Sequence, residues 1–290
     1  TAIRFLRCIL FNEQDASFLT AIAYFAYQII TMVLYDTIGK GYNTTRKADP
    51  YLTGKFYDLL APVKDGIYLD AGCGTGNYLH ALSAKGLSFY GIDPSETMLE
   101  KAMRQNPAVK FTCCKAEDIP FDDHFFNGVT AILTMHHWDS IPQGLKEIYR
   151  VLKPGGRFVS FSFTPEQVKG YWLAHYFPGM IDRAANTIPA LSEMERFVKD
   201  AGFGTVNFEK YFVRPDLEDH FMYSCKHEPE RCLIPEMREN TSGFTALANH
   251  AEVAAGLLKL EEDIRTGKIN NVIKGYENGF GDYLFIAAQK

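Results

Sequence analysis

From Ile67 onward, short apolar runs alternate with longer stretches in which apolar residues recur every third or fourth position. Runs opening at Ile67, Ser88, Lys110, Asn127 and Val151 read as strands, each bounded by Gly, Pro, Asp or Ser. The intervening spacing predicts helices over 76–85, 95–105 and 141–152, with another over 192–201, each turning an apolar face toward a sheet. Val206 to Val213 alternates as a strand does, and Gly281 to Ala288 reads as the last one. Strands and helices in strict alternation predict an α/β fold with a doubly wound parallel sheet. In such a sheet, a ligand binds beyond the carboxyl ends of the strands, where the strand order reverses.

Four stretches stand apart from that rhythm. Ala16 to Tyr35 carries no charge and is about as long as a bilayer-spanning helix. Three tyrosines, a glutamine and two threonines dilute it, so a buried helix or an oligomer-forming extension stands beside a membrane anchor or signal. Residues 36–50 are polar and turn-rich, a lid or a solvated linker, followed by a helix through Leu60. Thr164 to Pro189 is dense in aromatics, and Arg214 to Gly279 separates the last two strands with an apolar helix from about Phe244 to Gly267. A connection that long normally has structure of its own. The division is therefore 1–50 as hydrophobic helix and lid, 51–213 as core with a cap segment at 164–189, 214–280 as a helical cap, and 281–290 as the final core strand.

The chemistry concentrates where the first strand ends. Leu69-Asp-Ala-Gly-Cys-Gly-Thr-Gly-Asn77 places Asp70 at the strand terminus and Gly72, Gly74 and Gly76 in a turn that lets a ligand lie against bare peptide groups. A nicotinamide fingerprint needs its third glycine where Asn77 stands, which weakens that reading. Ser88 to Met98 ends a second strand in Asp93, whose two acceptor oxygens match a vicinal diol. Ala116-Glu-Asp-Ile-Pro-Phe121, His136-His-Trp138 and Leu152-Lys-Pro-Gly-Gly156 follow in order.

Taken together, these segments resemble the class I S-adenosylmethionine-dependent methyltransferases, in particular the small-molecule type similar to ubiquinone and menaquinone biosynthesis methyltransferases. The resemblance runs from about Tyr57 to Phe163. It implies a seven-stranded Rossmann-like sheet of order 3-2-1-4-5-7-6 with strand 7 antiparallel, and S-adenosyl-L-methionine as cofactor. It assigns Asp70, Gly72, Gly74, Gly76, Asp93, Pro94, Met98, Ala116, Glu117, Asp118, Ile119 and Thr134 to that cofactor. Lys115 stands where many relatives carry an Asp, leaving the adenine contact to Glu117, Asp118 or backbone.

Methyl transfer needs alignment above all, and a base only for a weakly acidic nucleophile. His137 and His136 follow the fourth strand at the substrate rim, and imidazole accepts a proton near neutral pH. Adjacent side chains diverge, so one of the two, His137 by preference, is expected to face the pocket, with a structural role for both as the alternative. Tyr171 and His175, and Trp172 and Tyr176, are spaced to share a helix face that lines the pocket or belongs to the core. No metal-binding cluster is apparent, and the acceptor is read as a small molecule with an O, C or N nucleophile.

Composition narrows the partners. A formal charge of −5 argues against a general nucleic-acid binder. Six cysteines without a C-x-x-C pair suit a reduced cytoplasmic interior, and Cys225 and Cys232 are read as separate buried thiols rather than a redox pair. A catalytically silent S-adenosylmethionine- or nucleotide-binding module remains the alternative to an enzyme.

Overall fold

The computed structural model describes residues 46–239 and 241–290. The uncharged run at 16–35 and Tyr42 of the expected lid lie outside the described residues. Among the described residues, no helix is long and apolar enough to cross a membrane.

Seven strands form one sheet: β1 (Ile67–Ala71), β2 (Ser88–Asp93), β3 (Lys110–Cys113), β4 (Phe126–Ile132), β5 (Leu152–Ser162), β6 (Thr205–Tyr211) and β7 (Tyr283–Gln289). Their order is β3-β2-β1-β4-β5-β7-β6, and β7 runs antiparallel to both its neighbours. The order reverses between β1 and β4, whose register sets Asp70 beside Thr130. Because β7 is antiparallel, its first residue, Tyr283, lies at the same sheet edge as the ends of the parallel strands.

Helices α1 (Pro50–Leu60), α3 (Glu96–Gln105) and α4 (Ile141–Val151) begin at side-chain caps, whereas α2 (Asn77–Ser83) begins at Gly76 of the glycine turn with no such cap. Asp49, Ser95 and Ser140 each accept from a backbone N–H two or three residues into the first turn of α1, α3 and α4. Leu145, Ile148 and Val151 of α4 are fully buried. Each such side chain contributes roughly 1.5–3 kcal/mol through removal from water. Phe56 of α1 meets Tyr78 and Phe285 edge-on, seating that helix over the centre of the sheet.

After β5 come α5 (Pro165–Lys169), α6 (Pro178–Ala185) and α7 (Leu191–Asp200). Tyr171, Trp172, His175 and Tyr176 do not share an α-helical face, because Gly170 ends α5 and Pro178 begins α6, leaving a short 3₁₀ turn between them. Three of the four belong to the core. Tyr171 stacks on Tyr223 at 3.8 Å, the Trp172 indole donates to the Lys226 carbonyl, and the Tyr176 hydroxyl donates to Asp263. All three therefore clamp the first inserted segment to the second.

The second insertion holds α8 (Pro235–Glu239), α9 (His250–Arg265) and α10 (Ile269–Gly275). The helix expected from Phe244 is shorter than the apolar pattern suggested. A separate turn ends at the extended Ala248, and Asn249 caps α9 by accepting from the Glu252 N–H. Gly256 presses against Phe177, where an added Cβ would come within 2.5 Å of the ring. Leu258 of α9 is 70% exposed. Cys225 and Cys232 are joined in a disulfide, which corrects their reading as separate thiols. A six-residue gap carried no signal that the loop between them brings the two side chains together.

Candidate active site

A cavity of about 500 Å³ opens beyond the carboxyl ends of β1, β2 and β4, between the sheet edge and the two inserted segments. Its floor is the glycine turn. Gly72 adopts φ +77°, and a Cβ there would lie 2.1 Å from the Thr134 hydroxyl, so β1 and the loop after β4 approach as closely as they do only through glycine. The N–H groups of Gly72 and Cys73 both donate to the Ile92 carbonyl, which ties the turn to β2. Gly74, at φ +53°, has nothing within 4 Å of where a Cβ would stand. Gly74 lines the cavity.

Two carboxylates flank it. Asp70 is 3% exposed and accepts from the Thr130 hydroxyl at 2.8 Å. Burial raises its pKa to about 7, against the Thr130 bond that lowers it, and the charge of Asp93 raises it further. Asp93 accepts from the N–H groups of Gly74 and Ser95, both at 2.9 Å, and burial still pushes it up to about 6. Each oxygen keeps a lone pair for a ligand hydroxyl. A site that raises two carboxyl groups this far favours a ligand bringing positive charge or donors.

Pro94, Met98, Ala116, Glu117 and Thr134 also line the cavity. Thr134 packs on Gly72, and Glu117 accepts from the Ser140 N–H, joining the loop after β3 to the start of α4. Asp118 and Ile119 do not line it. Asp118 is exposed, and Ile119 is buried with its N–H donating to Glu147.

Both His136 and His137 line the cavity, rather than one of them. Their rings lie 3.9 Å apart in a 3₁₀ turn, and His136 packs on Phe163. Burial depresses His137 to about 4 and drives His136 well below the ordinary histidine value, helped by the His137 and Arg46 charges. Both rings are thus neutral at pH 7. The Nδ1 of His136 is buried without a hydrogen-bond partner among the described residues.

The wall facing them was not singled out in the sequence. Phe163, Phe221 and Tyr283 form it, with Phe221 and Tyr283 4.7 Å apart. Tyr283 was recoverable in principle, since an antiparallel last strand starts at the ligand edge. Phe221 had no motif to mark it. Arg46, from the segment read as a lid or a linker, pairs with the buried Asp219 at 2.6 Å, and both line the cavity.

Residues 69–160 match a family model described as a methyltransferase domain. The chain is 39% identical over 112 residues to a demethylmenaquinone methyltransferase of Clavibacter sepedonicus, covering 38% of this chain and 46% of that one. It thus spans about half the length of that relative. It is 31% identical over 159 residues to a ubiquinone/menaquinone biosynthesis C-methyltransferase of Geotalea daltonii, covering 50% of this chain and 68% of the relative. Among solved structures, an Anabaena variabilis protein described as a candidate methyltransferase from an antibiotic biosynthesis pathway superposes with a TM-score of 0.75 at 30% identity. That match covers 84% of this chain and 98% of the other. A Haemonchus contortus phosphoethanolamine N-methyltransferase in complex with S-adenosyl-L-methionine shares the fold, with a TM-score of 0.55 at 20% identity over 83% of this chain and 52% of that one.

Proposed function

The chain belongs to the class I S-adenosylmethionine-dependent methyltransferases, and from that premise we propose that it transfers the cofactor's methyl group to a small-molecule acceptor. The observation that carries the reading is one cavity lined by a glycine turn, the buried Asp70, the partly buried Asp93 and a neutral histidine pair. The open space at Gly74 and the raised Asp70 and Asp93 fit a ligand that presents an ammonium group and ribose hydroxyls. When bound, S-adenosylmethionine supplies the electrophilic methyl. The protein holds the two reactants in line and keeps water out, which is where most of the acceleration in such a displacement arises.

Asp93 would accept the ribose hydroxyls, and Ala116 and Glu117 would border the adenine. His137 or His136 would take the proton released by a hydroxyl or acidic carbon, a role open to a ring that is already neutral. The wall of Phe163, Phe221 and Tyr283 suits a flat apolar acceptor, a shape in keeping with relatives named for menaquinone and ubiquinone biosynthesis. Segments 164–189 and 214–280 act as its cap, contributing Ala184 and Thr187 from the first and Phe221 and Met222 from the second.

Asp93→Ala tests the cofactor end. Losing a hydrogen bond to a charged acceptor should cost about 1.5–3 kcal/mol of S-adenosylmethionine affinity. Calorimetry showing the same affinity in the variant would remove Asp93 from the site.

A further inference from the structure

The Arg46–Asp219 pair is part of a larger knot. The Asp219 carboxylate is 1% exposed and receives three donors: Arg46 Nε at 2.6 Å, Arg46 Nη2 at 3.3 Å and the Tyr78 hydroxyl at 3.1 Å. Tyr78 is the second residue of α2, immediately beyond the glycine turn. Its neighbour Asn77 donates to the Arg46 carbonyl at 2.8 Å, and Asp49 caps α1 with one oxygen while its other accepts from the Glu218 N–H at 3.0 Å. Two residues past Asp219, Phe221 enters the aromatic wall. One buried carboxylate therefore joins the helix that starts at the cofactor turn, the segment before α1 and the roof on the acceptor side.

We infer that Asp219 is a positioning residue that couples the cofactor half of the cavity to the acceptor half, so that filling the glycine turn orders the roof at 217–223. The inference rests on the methyltransferase reading above. A buried charge held by three donors tolerates little displacement, because a lost partner leaves it poorly solvated. When a ligand fixes the first turn of α2, Tyr78 is fixed with it, and Asp219 and Phe221 follow. Arg46 is already pinned from both sides, by its carbonyl to α2 and by its guanidinium to the roof.

Hydrogen exchange of the intact chain, with and without saturating S-adenosylhomocysteine, tests this. Exchange reports local opening segment by segment. In the wild type, residues 72–78 and 217–223 should both slow, each by about tenfold. In Asp219→Asn, and in the milder Tyr78→Phe, residues 72–78 should keep their protection while 217–223 gains less than about twofold. A purely structural role would instead loosen both segments before ligand is added and leave the ligand's effect on each unchanged, which overturns the inference. So does wild-type protection confined to 72–78. If 72–78 itself gains no protection, the cofactor reading fails, and the coupling fails with it.

Discussion

Asp70 and Asp93 are carboxylates held where little water can solvate their charge, and their raised pKa values of about 7 and about 6 follow from that. A ligand that donates to them binds the ionised forms. S-adenosylhomocysteine affinity should therefore hold above about pH 7 and weaken as pH falls to 5, by at most about tenfold per unit for each proton to be released. Affinity is a cleaner readout than stability in this window. An aspartate raised above its unfolded value of 3.8 withdraws stability as pH climbs through its folded pKa. His137, depressed to about 4 from 6.5, contributes stability that is present above 6.5 and lost as pH falls toward 4, so the two trends oppose each other. Calorimetry across pH 5 to 8 that found constant affinity would detach both carboxylates from the ligand. His137→Ala should lower turnover by about 100-fold while cofactor affinity stays near wild type. Should His136→Ala and His137→Ala both retain full turnover, proximity alone carries the reaction. The motif residues were readable because turn glycines and strand-end acids have few substitutes in those places. The joint exposure of both histidines was not, since it depends on a 3₁₀ turn that no spacing rule marks.

At the scale of elements, periodicity located the core helices within two residues, and Asp49, Ser95 and Ser140 fix where three of them start. The insertions were harder to read. Tyr171, Trp172 and Tyr176 carry helical spacing, yet Gly170 and Pro178 bracket them too closely for a helix, and tertiary partners in the second insertion decide their direction. Those contacts also make removal of the whole insertion a poor test of the cap, since it would strip the cover from Trp172 and Phe177. Phe221→Ala is the sharper probe. It removes one ring from the acceptor wall and leaves the glycine turn and Asp93 untouched. S-adenosylhomocysteine affinity should change by less than about threefold, within the range of a distant substitution, while KM for the acceptor rises and kcat/KM falls. A wild-type kcat/KM in that variant would take the second insertion out of acceptor binding.

Across the whole molecule, the doubly wound sheet follows from alternation and its order from the family resemblance, and the site lies at the switch point that such an order dictates. What remained hidden depends on parts of the chain meeting through the fold: Arg46 with Asp219 and Tyr171 with Tyr223 across long separations, and Cys225 with Cys232 across one loop. Such pairs are separate in sequence and have no shared pattern, so only the folded chain reveals them. The fold houses many chemistries, and the claim that this one binds S-adenosylmethionine rests on its own carboxylates and glycines. Calorimetric titration of the purified chain with S-adenosylmethionine, S-adenosylhomocysteine and NAD tests that claim most directly. Saturable one-site binding of the first two, with no heat from NAD, is the result predicted here; tight NAD binding with no response to S-adenosylhomocysteine would contradict it.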